Sequence, residues 1–318
     1  MPRRFVAHRL VFRLGERAFT IQHPNAMRVF DRAEFDAALA RAVEQCGVPF
    51  QANTRVQAVE VLPSGVRLLT DQGIYEAEVL VAADGANSTI RRKLQMRSTV
   101  GIARLLRALT PLEPLQSQAW QEGAAVFDFS CVPQGIQGYM WDFPCYINGQ
   151  PHMNRGIMDS RIAPETASER QHGNLKQTFL EGLDARQVDA ESVQLEGHPV
   201  RWFNRDAIFS QPHVLLAGDA AGVDPLFAEG ISYAMEYGWL VTQAIKHAFA
   251  TQDFSFRQYK TTLLQHRMGQ MLLRRGMVAK GLYPYRYPFF WTIVWALADM
   301  AAPPLQRRFG AALALLPE

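Results

Sequence analysis

Cysteine is scarce in this 318-residue chain, and long apolar runs are missing. Its three cysteines, Cys46, Cys131 and Cys145, have neither a metal-ligand spacing nor the pattern of a disulfide framework. A stapled secreted fold and a structural zinc site are therefore disfavoured, and a reducing, cytoplasmic setting is expected. The opening MPRRFVAHRL has charges but no apolar segment after them, so it does not read as a signal peptide. No internal repeat and no low-complexity tract occurs. The net charge of +3 is too small to point to nucleic acid, although an anionic membrane surface or substrate is compatible with it. The eight histidines are scattered and read as structural, and no Ser/His/Asp or Cys/His arrangement marks a nucleophile.

What is present is globular. Hydrophobic residues make up 48% and charged residues 20%, enough for one large or two ordinary domains around a substantial core. The chain is organised around His213–Gly238, HVLLAGDAAGVDPLFAEGISYAMEYG. Four apolar residues, Val214 to Ala217, end at Gly218, as in a strand buried on both faces. Asp219 follows at the strand end, where open α/β sheets bind ligands. Pro225 and Gly230 bracket a loop before a helix starting near Ile231, whose free N–H groups suit an anionic or electron-rich group. Alone, a Gly-Asp pair fits a plain strand–loop–helix with a surface Asp equally well.

A second corner of the same kind lies earlier, in VLVAADGANSTIRRKL. Here a buried strand ends at Asp84-Gly85 and a helix carries Arg91 and Arg92 in its early turns. Asn87 or Ser88 could cap that helix without any ligand. Three runs precede and include this strand, Arg55–Leu62, Val66–Thr70 and Ile74–Ala83, separated by turn residues and read as a β-meander. Before them, Phe5–Ile21 reads as two strands about a turn at Gly15-Glu16. Val29–Gly47 reads as a helix, with Asp31 and Glu34 as a capping box and Gly47 as its end. Phe35, Leu39, Ala42, Val43 and Cys46 share one helical face, so that face is expected in the core, with Cys46 as a buried thiol.

The two acidic turns, in this order and separated by a whole domain, resemble the motifs of FAD-dependent oxidoreductases of the aromatic-hydroxylase fold, most nearly the geranylgeranyl reductase family. The resemblance implies FAD as cofactor. It implies that Asp219, after Gly218, binds the ribityl side and that Gly230 with Ile231 lies against the flavin ring, next to Pro225. It further implies FAD contacts for Asp84 with Gly85, for Arg32 in an Arg-x-x-Phe-Asp segment, and for the backbone of Val56 at the adenosine end. Ala228 stands where Gly is common in the family, a departure that stiffens the loop. The expected fold class is α/β (α+β): an incomplete Rossmann-like FAD domain over residues 1–100 and 208–250, interleaved with an antiparallel-sheet substrate domain over 101–207, then a helical region over 251–318.

Incomplete is meant literally. Enzymes of this architecture open with a strand, a G-x-G-x-x-G turn and a helix, and no G-x-G-x-x-G occurs here. The resemblance begins after the family's first βαβ unit, so the chain reads either as a truncation, the favoured explanation, or as a true variant lacking that unit. A chain without that unit is expected to bind FAD weakly or not at all and to aggregate, because a sheet edge and a dry face lose their cover.

In the middle of the chain, Ala124–Phe129, Gly138–Phe143 and Asn154–Ser160 read as strands and Glu169–Leu183 as a helix. Tyr139, Trp141, Phe143 and Pro144, followed by Gly156, resemble the family's Y-x-W-x-F-P…G-x-G pattern, with Met158 in place of the second Gly. Alternation puts the three aromatics on one strand face. They can wall a slot for an apolar polyprenyl-like chain, or simply pack the sheet against a helix. Cys145 follows where Lys is common and reads as an ordinary thiol.

Ile231–Ala250 and Phe256–Gly276 read as long helices. The tail is rich in aromatics, and Phe289–Ala302 is too short to cross a bilayer. Tyr283, Tyr285, Tyr287, Trp291, Trp295, Arg286, Arg307 and Arg308 suit a helix on a membrane surface, and packing over the substrate pocket suits them equally.

The resemblance implies hydride transfer from reduced flavin to carbon–carbon double bonds of a prenyl chain, with NADPH or a ferredoxin as electron donor. A flavin monooxygenase or halogenase would share both flavin motifs, and a non-catalytic remnant would retain the substrate half. No residue is nominated as a general acid.

Overall fold

A computed structural model describes residues 3–96, 101–163 and 173–300. The chain opens on the expected hairpin, β1 (Arg4–Leu14) and β2 (Arg17–Phe30), closed by Gly15-Glu16 with Gly15 at φ +57°. Phe5, Ala7, Leu10 and Phe12 face inward along β1. Helix α1 (Arg32–Gln45) follows, with the Asp31 carboxylate accepting from Ala33 N at 3.0 Å. Strands β3 (Val56–Leu62), β4 (Gly65–Thr70) and β5 (Gly73–Ala77) form an antiparallel sheet of their own. The Ile74–Ala83 run is not one strand. It breaks after Ala77, and β6 (Leu80–Ala82) enters a different sheet before α2 (Thr89–Lys93).

The largest sheet uses β7 (Ile102–Pro111), β8 (Ala124–Asp128), β9 (Gly138–Ile147), β10 (Gln150–Asp159) and β11 (Glu196–Arg201), with α3 (Gln118–Gln121) before β8. Its order is β11-β7-β10-β9-β8-β1-β2, so residues 4–30 join the strands of 101–207. All pairings are antiparallel except β1 with β8. Helix α4 (Leu175–Asp184) covers one face through Phe179 and Leu183, which pack on Met140 and Ile157. The expected start of that helix, at residue 169, lies outside the described residues. Below α4, Arg186 donates to Asp142 at 2.8 Å and to Asp128 at 3.3 Å, and Arg155 pairs with Asp142. These buried charges are mutually compensated.

The other face is aromatic. Alternation along β9 points Tyr139, Trp141 and Phe143 the same way, and they meet Phe127 and Phe129 at centroid separations of 4.9–5.4 Å, or each other at 6.0–6.2 Å. Gly156 lies opposite Trp141 in the ladder, and a Cβ there would stand 2.0 Å from the indole Cζ2. The indole lies across the β10 backbone, and its N–H donates to Asn154 at 3.1 Å.

The third sheet is β12 (Ser210–Gln211), β13 (Val214–Leu216) and β6, with β13 parallel to β6. It packs on α5 (Ile231–Thr251) through the buried Tyr233, Tyr237 and Leu240. The expected Phe256–Gly276 helix is two helices, α6 (Tyr259–Gln265) and α7 (Arg267–Leu282), broken at His266, whose ψ is 149°. Its ring nitrogen accepts from Met268 N and caps α7. Residues 288–300 form α8.

One expectation about α1 fails. None of its residues is buried, Leu39 and Val43 are about two-fifths exposed, and Cys46 is exposed. Phe35 meets Phe30 of β2 at a centroid separation of 4.8 Å, but no described element covers the rest of the apolar stripe read from the sequence. Cys145, in contrast, is buried, and burial pushes its thiol up to about 12, which makes it a poor nucleophile at neutral pH.

Replacing Gly156 with Ala is expected to destabilise the fold by about 1–3 kcal/mol, because the clash lies between backbone and a packed indole. Urea denaturation followed by tryptophan fluorescence measures this. An unchanged midpoint would show that the indole does not depend on Gly156.

Candidate functional site

The register Leu80↔Val214, Val81↔Leu215, Ala82↔Leu216 makes β6 and β13 parallel neighbours, and Ala217 N donates to Ala82 O at 3.0 Å. Asp84-Gly85 and Gly218-Asp219 therefore leave the same end of the same sheet. Gly85 and Gly218 have φ of +81° and +57°, left-handed conformations that turn the chain sharply away from the strands.

The two carboxylates have different duties. Asp84 accepts from Thr89 N at 2.7 Å and Ile90 N at 3.1 Å, while Ser88 Oγ accepts from Arg91 N at 3.0 Å. Asp84 and Ser88 jointly hold the start of α2, so Asp84 shapes the corner through the backbone. Asp219 makes no hydrogen bond among the described residues. Burial raises its carboxyl above the usual value of 3.8, opposed by the Arg32 guanidinium. Arg32, which also pairs with Asp36 at 3.0 Å, is thus brought to the same site. A Cβ on Gly230 would stand 3.0 Å from Asp219 Oδ1, so glycine keeps the space beside that carboxylate open. Gly230 caps α5 without any side-chain bond, which leaves the N–H groups from Ile231 onward to other acceptors. Val56 begins β3, against which α2 packs.

Several residues of this site were not singled out in the sequence. Arg201 is buried, donates to Ala86 O at 3.2 Å, and is pushed down to about 10 by burial and by neighbouring Arg91. Arg91, which the sequence did place on α2, is also buried, and its Nε has no partner among the described residues. The loop from Asp224 to Gly230 is gripped from three sides. Arg275 of α7 pairs with buried Asp224 and reaches Glu229 at 3.2 Å; Tyr283 OH donates to Leu226 O and Tyr139 OH to Phe227 O, each at 2.6 Å. Pro225 lies against Gly276 of α7. Burial raises the Glu229 carboxyl. Asp224 and Glu229 lie inside the quoted string, but Arg275 is 51 residues further on, with no local signal to reveal it.

The residues present fit the flavin end of FAD. An unpartnered, half-buried carboxylate can accept from ribityl hydroxyls, and an uncapped helix N-terminus can donate to the electron-rich ring edge. When bound, FAD would supply hydride chemistry. The sequence holds no G-x-G-x-x-G turn to cradle its pyrophosphate.

The aromatic face is filled. Tyr139 and Trp141 are buried, and Phe143 is partly buried; Phe227 of the loop, Trp291 and Trp295 pack over them. Pro144 continues β9 opposite Met153. A cavity of about 440 Å³ lies elsewhere, on the exposed face of α5, lined by Ser232, Met235, Glu236, Trp239 and His266.

The arrangement is that of a flavoprotein, and comparison with known proteins agrees. Residues 8–248 match the FAD binding domain family, and the chain belongs to it. Its relatives include the digeranylgeranylglycerophospholipid reductase of Methanococcus vannielii, 25% identical over 73% of this chain and 59% of that protein. The geranylgeranyl diphosphate reductase of Rhodobacter capsulatus is 27% identical over 53% of this chain and 40% of that one. Another is the Dictyostelium discoideum protein named conditioned medium factor receptor 1, 26% identical over 72% of this chain and 45% of that one. The chain spans about half the length of the curated relatives it matches. Among solved structures, a geranylgeranyl bacteriochlorophyll reductase-like protein from Thermoplasma acidophilum shares the fold, with a TM-score of 0.69 and 21% identity over 86% of this chain and 70% of that one. The halogenase PltM shares it too, at 0.66 and 14% identity over 99% of this chain and 70% of that one. Among the described residues no helix is long and apolar enough to cross a membrane.

Two substitutions test the site without a ligand. Ala228 sits at φ +54°, a conformation that costs a non-glycine residue about 1 kcal/mol or more. Ala228→Gly should therefore raise the urea midpoint, and a lower midpoint would contradict the strained loop.

Asp219 gives a pH signature. Its native carboxyl titrates above the unfolded one, so the native state holds the proton more tightly. The ionised group therefore costs stability at neutral pH, and that cost disappears below the ordinary carboxylate range. Asp219→Asn is expected to be more stable than the parent at neutral pH, with the gap closing as pH falls. A less stable variant at neutral pH would show that the carboxylate is compensated.

Proposed function

We propose that this chain forms the flavin-facing and substrate-facing parts of an FAD-dependent oxidoreductase that reduces carbon–carbon double bonds of a polyprenyl chain. The observation that carries this reading is the pairing of an open flavin-type corner, Asp219 with Gly230 and the α5 N-terminus, with a strand face of large aromatics one loop away. Phe227 belongs to both: it follows Pro225 in the loop and packs on Tyr139 and Phe127. Sequence likeness to two prenyl-chain reductases supports the substrate class. In this reading Asp219 and the first N–H groups of α5 hold the flavin, and Tyr139, Trp141, Phe143, Pro144 and Gly156 line an apolar slot. A slot there would require the side chains now filling that face to move aside, and it would keep water from the reacting carbons. Bound there, FAD would supply the hydride chemistry, with NADPH or a ferredoxin as the electron donor this reading expects.

FAD titration followed by quenching of flavin fluorescence tests the binding half. Asp219→Ala is expected to weaken affinity by roughly 10–100-fold, the worth of one hydrogen bond to a charged group. Failure of the parent chain to bind FAD at all would leave a non-catalytic remnant. Anaerobic reoxidation of the reduced flavin by a geranylgeranyl lipid tests the chemistry. Reoxidation that requires oxygen and yields an oxygenated or halogenated product would assign the chain to the monooxygenase or halogenase branch.

A further inference from the structure

The last described helix has two apolar faces. One packs inward: Trp291 and Trp295 are buried against Phe129, and the Trp295 indole donates to Phe12 O at 3.3 Å. The other points to solvent. Phe289, Ile293, Leu297 and Met300 recur at helical spacing and are 43–76% exposed, and Tyr285 and Tyr287 just before them are 45% and 73% exposed. Large apolar side chains scattered singly on a surface need no explanation, but a contiguous stripe does. Eight of the 22 exposed large hydrophobics of the described residues lie between Met277 and Met300.

Charge chooses among the possible occupants. From Phe254 onward the sequence carries nine Lys and Arg against two Asp and Glu, whereas the preceding residues carry 24 against 28. Of those nine, Arg275 is buried against Asp224, and α8 itself carries no Lys or Arg and one exposed acid, Asp299, so the basic side chains near the stripe are the exposed Arg274 and Lys280 of α7. A second copy docking on the same surface would bring like charges together. An anionic bilayer surface meets both features at once: the apolar stripe enters the acyl boundary, tyrosines sit at headgroup level, and Lys and Arg face anionic headgroups.

We infer that the outer face of α8, with Tyr285 and Tyr287, docks the protein onto anionic lipid membranes, lying in the interface and not crossing it. The inner face of the same helix roofs the aromatic sheet. Docking would thus put that sheet next to the lipid, but the inference does not depend on what the sheet binds or on whether FAD is present.

Sedimentation of the full chain with lipid vesicles tests it. The protein should associate with vesicles of phosphatidylcholine mixed with phosphatidylglycerol, weakly with phosphatidylcholine alone, and less as salt rises. The double substitution Ile293→Glu, Leu297→Glu should weaken association by more than about tenfold, since each removes a large apolar side chain from the contact. Both positions are exposed, so the fold should persist, as near-ultraviolet circular dichroism would verify. The matched pair Leu39→Glu, Val43→Glu on the exposed face of α1 should leave association unchanged. Parent protein that stays in solution with both vesicle types would overturn the inference. So would α8 variants that bind as before, an α1 pair as damaging as the α8 pair, or a dimer lost in the α8 pair from a parent that ignores lipid. None of these outcomes bears on flavin binding, so the two readings fail separately.

Discussion

The site depends on one pairing. Leu80–Ala82 and Val214–Leu216 lie more than 130 residues apart, yet they form adjacent parallel strands, and that alone brings Asp84 and Asp219 to a common end. Parallel strands need a crossover, and here the crossover contains β7 to β11, five of the seven strands of the largest sheet. The sheet edge is short, so its register rests on burial. Val214, Leu215 and Leu216 are fully enclosed, and a slip of one residue would reverse the faces of β13. That register sets where the two acidic turns stand, Asp84 as a helix cap and Asp219 as a bare carboxylate.

A second constraint links the sheet and the loop. The Asp224–Gly230 segment takes its shape from Arg275, Tyr283 and Tyr139, three residues on two elements far away in sequence. Burying Asp224 and Arg275 together is tolerable only because each compensates the other. Burial lowers the charge affinity of the Arg275 guanidinium, but Asp224 outweighs it and holds the proton in place. The loop beside the flavin corner is thus fixed by the helical region that follows it, which couples the shape of the site to the docking of α7.

Local signals were legible in the sequence where the physics is local. The β1–β2 turn at Gly15, the Asp31 cap, the strand ending at Gly218 and the helix opening at Ile231 all follow from turn chemistry, capping and periodicity. The positive φ at Ala228 is legible in a different way, as a residue standing where glycine is common in the family. What was not legible is non-local. The α1 stripe has helical spacing, but spacing says nothing about whether a partner element covers it, and here Leu39, Val43 and Cys46 face solvent. The break at His266 lacks proline or glycine and arises from a ring nitrogen that caps the next helix. Arg201 and Arg275 reach the site only through tertiary packing.

The aromatic strand face illustrates where pattern stops short of function. Alternation placed Tyr139, Trp141 and Phe143 together, and the ladder explains why Gly156 must lie beneath Trp141. Neither fact distinguishes a slot from a core. The central claim is narrower: two acidic turns at one sheet end flank a single flavin. Amide chemical-shift mapping of the labelled protein during addition of FAD tests it most directly. The account predicts that the largest shifts cluster at Gly85, Gly218, Gly230 and Ile231. Shifts confined to other surfaces, with these four amides unmoved, would contradict it.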